Sequence, residues 1–143
     1  MNKNFQPYSE PRNLKLALVS SFTYFAASGS LFMGQIQAET EWKDIPCVPG
    51  TLQVSCLPNE NGFYDVNISF RVSFADPENQ AYMNIFRNVP LVARYTSGAG
   101  KEKLAGTAEN FLKLSFGTPA GFDGYECTIK GTQKDPELFI QQL

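Results

Sequence analysis

Three cysteines, at positions 47, 56 and 127, carry the most specific chemistry in this 143-residue chain. No histidine accompanies them. That rules out nucleophilic catalysis by a Ser–His or Cys–His pair and removes the commonest general base and metal ligand. The cysteines stand nine and 71 positions apart, unlike the C-x-x-C pairs of zinc sites. Ser97-Gly98-Ala99-Gly100-Lys101 lacks the spacing of a phosphate loop and reads as a hairpin tip. Asp76-Pro77-Glu78-Asn79 offers several oxygens without the order of a calcium loop, and reads as a surface turn. Paired carboxylates for glycoside hydrolysis meet only in space, so none is named. No catalytic residue, cofactor or metal site is assigned. Twelve Lys and Arg against 14 Asp and Glu leave a net charge of −2, which gives no bulk attraction to nucleic acid.

The elements that must position these residues begin after an unusual N-terminal stretch. Residues 1–15 carry Lys3, Arg12 and Lys15 against Glu10, and Leu16 to Gln37 carries no charge. A basic start, an apolar middle and the small residue Ala38 before a charged stretch have the layout of a secretory signal. Residues 1–38 are therefore expected to be a signal peptide or a membrane anchor, with 39–143 as a single exported β domain. If uncleaved, residues 16–34 are about long enough to cross a bilayer as a helix. The basic flank would place the remainder outside the cytoplasm, in a periplasmic, cell-surface or secreted setting.

The exported part reads as strands. Over residues 63–74, Val66, Ile68, Phe70, Val72 and Phe74 alternate with Asp65, Asn67, Ser69, Arg71 and Ser73. Such alternation means a strand with one buried and one wet face, and implies an antiparallel sheet. Shorter alternating runs occur at 51–56, 112–116 and 125–130, residues 91–95 read as a further short strand, and residues 82–86 are mixed. The tail after Asp135-Pro136 fits either a helix or a last strand. Turn-rich stretches at 58–62, 76–79, 97–100 and 117–121 separate these runs. About seven strands of this kind predict an all-β antiparallel sandwich, with a small barrel as the alternative.

Three cysteines in an exported chain suggest one disulfide and one spare thiol, or a link to another chain. All three pairings are open. Cys56–Cys127 has added support, because alternation points both side chains to the core faces of their strands. Closing so long a loop is worth about 4 kcal/mol in the chain-entropy model. Cys47 would then be a free or intermolecular thiol.

LQVSC ending at Cys56, Phe70 fourteen residues on, and Tyr125-Glu126-Cys127 late in the chain weakly resemble an immunoglobulin-like domain over residues 50–130. Phe70 stands where that family has Trp, and Cys47 has no counterpart in it. The resemblance implies a two-sheet sandwich with the cysteine pair between its sheets.

Aromatics are abundant: twelve Phe, six Tyr and one Trp. Most fill a core, but Phe63, Tyr64, Tyr82, Tyr95 and Phe122 flank loops or strand ends and are candidate contact residues. Asn67-Ile68-Ser69 has the form of a glycosylation acceptor. Two function classes follow. One is a non-enzymatic exported binding or assembly module with a protein partner or a second copy. The other is a small-ligand or carbohydrate-binding sandwich, with carboxylate hydrolase chemistry as a variant, which requires a concave pocket beside acids.

Overall fold

Strict alternation along residues 64–73 produces the central strand of a four-stranded antiparallel sheet. The computed structural model describes residues 10–24, 27–28, 31–32, 35–36, 42–106, 110–134 and 138–140, with side chains placed for 10–20, 42–106 and 110–134. In chain order the strands are β1 Arg12–Leu18, β2 Phe22–Tyr24, β3 Ala27–Ser28, β4 Leu31–Phe32, β5 Gln35–Ile36, β6 Lys43–Asp44 and β7 Gln53–Pro58. They continue as β8 Tyr64–Ser73, β9 Leu91–Thr96, β10 Glu102–Ala105, β11 Lys113–Gly117, β12 Gly124–Gln133 and β13 Leu138–Ile140. A 3-10 turn at Val19–Ser21 follows β1, and the helix α1, Pro77–Asn84, follows β8.

The four-stranded sheet runs β11-β12-β8-β7, and the larger sheet runs β3-β4-β13-β10-β9-β1-β6. β2 and β5 form a separate pair. The arrangement is mostly β and compatible with a sandwich. Val66, Ile68, Phe70 and Val72 of β8 pack with Tyr125, Cys127 and Ile129 of β12, and with Leu14, Leu16, Leu91, Ala93 and Tyr95 of the larger sheet. The expected core faces of β8 and β12 are thus the observed ones. On the far side of the larger sheet, Ala17, Val92 and Leu104 form a second small cluster, against which Val19 and Trp42 pack. Burial on both faces explains why LVARYT in β9 does not alternate.

Both seams between the sheets are stitched. Leu91 exchanges backbone hydrogen bonds with Leu112, at 3.0 and 2.8 Å, just before β11. At the other seam, Ile45 N donates to Leu14 O at 3.0 Å, and Cys47 bridges to Val72. These bonds satisfy backbone groups that would otherwise end in the seam.

Several expectations are corrected. An N-terminal helix is not seen in residues 12–24, which form β1, a 3-10 turn and β2. Leu14 and Leu16 are buried in the same cluster as residues of β8 and β12, and Ala17 is buried in the second cluster. The strand wins there because Leu14 and Leu16 meet the core while Ala17 meets the second cluster. The side chains of the expected anchor after Ser20, and the cleavage position after Ala38, lie outside the described residues. No helix among the described residues is long and apolar enough to cross a membrane.

The Cys56–Cys127 disulfide is absent, and none of the three cysteines is joined in a disulfide. Cys56 lies opposite Val66, and Cys127 opposite Phe70, on the two strands that flank β8. Two strand spacings of ~4.8 Å and a four-residue offset of ~3.4 Å per residue put their Cα atoms roughly 16 Å apart. A disulfide needs less than about 7 Å. Alternation correctly turned both side chains inward, but it does not report which sheet a strand joins.

Asp76-Pro77-Glu78-Asn79 is the start of α1 rather than a simple turn. Asp76 caps it by accepting from Asn79 N at 2.8 Å, with Pro77 in the first turn. This is the usual grammar of a helix start. The helix buries only Met83, so its sequence shows no apolar stripe. The tail does form a last strand, β13, whose side chains are not described.

Candidate functional site

The inner face of the four-stranded sheet is consumed by the core, so its outer face is where polar side chains accumulate. Strand registers place Gln53, Ser69, Thr128 and Ser115 in one row across the sheet. Ser55, Asn67, Lys130 and Lys113 form the next row. A third pairs Arg71 with Glu126.

At the Arg71 end the surface is built in detail. The Arg71 guanidinium lies 4.8 Å from the centre of the Phe122 ring, a cation–π distance. Its Nη2 is 3.9 Å from Glu126 Oε2, too long for a direct hydrogen bond. Phe122 can lie across the sheet because position 124 is glycine. A Cβ there would stand 2.6 Å from Phe122 Cε2 and would also strike Val72 O. The turn before β7 is tied to the same place. Arg71 N donates to Thr51 Oγ1 at 3.1 Å, Thr51 Oγ1 donates to Val48 O at 2.7 Å, and Val48 N donates to Arg71 O at 2.7 Å. Between these groups is an open depression of about 300 Å³, lined by Gly50, Thr51, Gln53, Ser69, Phe70, Arg71 and Glu126.

One residue beyond β8, Phe74 leaves the alternating pattern. It was expected on the buried face; instead it is 63% exposed. Its φ is 70°, in the left-handed region that L-residues other than Asn, Asp and Gly avoid. The backbone turns there because Asn79 Nδ2 donates to Ser73 O at 3.0 Å and to Phe74 O at 2.9 Å. Phe74 N donates to Asp123 O at 2.8 Å. At the opposite end, Leu57 and Phe63 are exposed beside the β7–β8 turn. Asn59 orders that turn by accepting from Asn61 N and Phe63 N, and by donating to Asp65 Oδ1 at 2.9 Å.

The candidate contact aromatics are thus dispersed. Phe63 is at the turn and Phe122 is under Arg71. Tyr64 is half-buried. Tyr82 is half-buried against Phe86 and donates to Asp44 O at 2.8 Å. Tyr95 faces the core and offers no contact surface. Phe74, Leu57 and Arg71 are not among the contact residues that the sequence marks. For Phe74 the available signal was the helix start two residues later.

The thiols of Cys47 and Cys127 are poor nucleophiles. Burial pushes the thiols of Cys47 and Cys127 up to about 12, so they stay protonated at neutral pH. Cys47 lines a larger groove of about 590 Å³ together with Glu10, Arg12, Asn13, Pro46 and Pro49. On the second face of the larger sheet, Arg94 Nε donates to Glu102 Oε1 at 3.0 Å, and Thr96 Oγ1 donates to Glu102 Oε2. Burial alone would raise the Glu102 carboxyl. The hydrogen bonds from Thr96 and Arg94, with the charges of Arg94 and Lys15, hold it below its ordinary value. Among the described residues, no three of Cys, Asp and Glu lie close enough to hold a metal ion.

Comparison with known proteins adds no homology: no protein-family model, no curated protein and no solved structure matches the chain.

Proposed function

We propose that the chain is a non-enzymatic binding or assembly module that meets a protein partner, or a second copy of itself, through apolar residues presented at the ends of its four-stranded sheet. The observation that carries this reading is Phe74. A non-glycine residue in the left-handed region costs about 1–2 kcal/mol, and here the cost is borne to hold an aromatic ring in water. Strain of this kind persists where surrounding bonds impose it, and it clusters at functional positions. Asn79 and Asp123 impose it here. Leu57 and Phe63 supply a second apolar point at the far end.

The two stitched sheets serve as a rigid frame for these contacts. The immunoglobulin resemblance contributes to this reading only through its two-sheet packing, since that family places its cysteine pair across the sheets and here both strands share one sheet. An exported setting belongs to the same proposal, with one condition: targeting must act without loss of β1, which the core requires.

The test is a photo-crosslinking residue at position 74, compared with one at position 99, in the full chain in its native host, beside light scattering of the purified protein. A crosslink at 74 to one partner or to a second copy, absent at 99, supports the reading. No crosslink at 74, together with a monomer at every concentration, overturns it.

A further inference from the structure

The depression beside Arg71 has a chemistry distinct from the apolar residues at the sheet ends. We infer that it binds a neutral saccharide of mono- to disaccharide size. Its volume of about 300 Å³ is at the small end of the roughly 300–1,000 Å³ typical of small-molecule sites.

The lining defines the ligand class. Arg71 presents guanidinium donors, Glu126 presents carboxylate acceptors, and the Gln53 amide and Ser69 hydroxyl do both. A sugar hydroxyl also donates and accepts, so a ring of hydroxyls can satisfy all four groups. Ionic ligands match less well. Arg71 and Glu126 cancel, so a phosphate or carboxylate would meet the Glu126 charge and an ammonium group would meet Arg71. The two side chains are 3.9 Å apart and both are substantially exposed. A surface pair of this kind contributes little by itself, so a ligand can take over its hydrogen bonds at small cost.

The site is also set in advance. The Phe122 ring lies against the Arg71 guanidinium, its centre 4.8 Å away. The Thr51 hydroxyl is spent on Arg71 N and Val48 O, which locks the rim rather than contacting a ligand. Gln53, Ser69, Arg71 and Glu126 all stand on paired strands. Groups fixed on strands give up little freedom when they bind. Gly50, with φ 82°, forms the turn at the rim.

A free sugar and the terminal sugar of a glycoprotein share this chemistry. The experiment is a two-dimensional amide NMR titration of the ¹⁵N-labelled full chain. Probes are glucose, galactose, mannose and N-acetylglucosamine, each as the reducing sugar and as its methyl glycoside, taken into the tens of millimolar. Sodium sulfate and sialic acid are the charged comparisons. The expected result is saturable shifts of the Gln53, Ser69, Arg71 and Glu126 amides with at least one neutral sugar. Equal binding of the methyl glycoside assigns the site to glycan ends; preference for the reducing sugar assigns it to free sugar. Arg71→Lys and Glu126→Gln, on folded protein of unchanged spectral dispersion, should each weaken that binding about tenfold, the size of one charged hydrogen bond. Three results overturn the inference: no neutral sugar shifts these amides, only the charged probes do, or both variants bind as the parent does. Crosslinking at position 74 is read separately, so either site can fail alone.

Discussion

Asn79 holds Phe74 from the first turn of the following helix: its side-chain amide donates to the carbonyls of both Ser73 and Phe74, at 3.0 and 2.9 Å. The same residue's backbone N–H is capped by Asp76 at 2.8 Å. One asparagine thus joins the end of β8, the backbone of Phe74 and the start of α1.

Phe74→Asn should stabilise the fold by about 1 kcal/mol, because Asn adopts the left-handed conformation readily and the ring it replaces is exposed. Asn79→Ala should destabilise it by about 1–3 kcal/mol, since two carbonyls lose their donor. Urea unfolding of the two variants measures both. A stabilised Phe74→Asn that has lost its partner crosslink would separate function from stability.

Residues 39–143 alone should fail to fold, and Leu16→Ala in the full chain should cost about 2–5 kcal/mol. Leu16 is fully buried, and β1 is bonded to β9 along five register pairs. Circular dichroism and thermal melting of the truncated and substituted chains decide this. A cooperative melt from 39–143 would show that β1 is dispensable.

Gly124→Ala should lower stability by about 1–3 kcal/mol, the usual cost of overpacking, because a Cβ would strike Val72 O and the Phe122 ring. Phe122 must then leave Arg71, so the Arg71 side-chain resonance should shift as well. NMR of the variant reads the ring displacement, and denaturant titration reads the stability.

Stability should fall at both ends of the pH scale for different reasons. The Cys47 and Cys127 thiols are held protonated to about 12 in the fold against an ordinary 9. The unfolded chain therefore loses those protons first, and stability declines as pH rises from 9 towards 12. The Glu102 carboxyl is held below its ordinary 4.5. The unfolded chain takes up that proton first, and this contribution is lost as pH falls from 4.5 through the folded value. Melting temperatures of the parent, Cys127→Ser and Glu102→Gln across pH test each limb. Glu102→Gln should flatten the acid limb and leave the alkaline one. Both thiols should also label slowly with an alkylating reagent until denaturant is added.

The chain alone determined the alternating strands. The inward faces of β8 and β12 follow from period-two spacing, since neighbouring residues in a strand must point to opposite sides. The absence of histidine likewise determined which catalytic pairs are impossible. Tertiary structure decided what spacing cannot encode. Leu16 and Ala17 open an apolar run that would suit a helix, yet with Leu14 they form a strand because two separate clusters need them on opposite faces. Cys56 and Cys127 both point inward, but pairing with opposite sides of β8 keeps them in one sheet and out of bonding range. Phe74 continues the β8 alternation by count, and the Asn79 side chain, five residues away, together with the Asp123 carbonyl, turns it into water. Arg71, Phe122 and Glu126 share no local motif. Strand register and the missing Cβ of Gly124 bring them together, because sheet pairing joins residues by geometry rather than by distance along the chain.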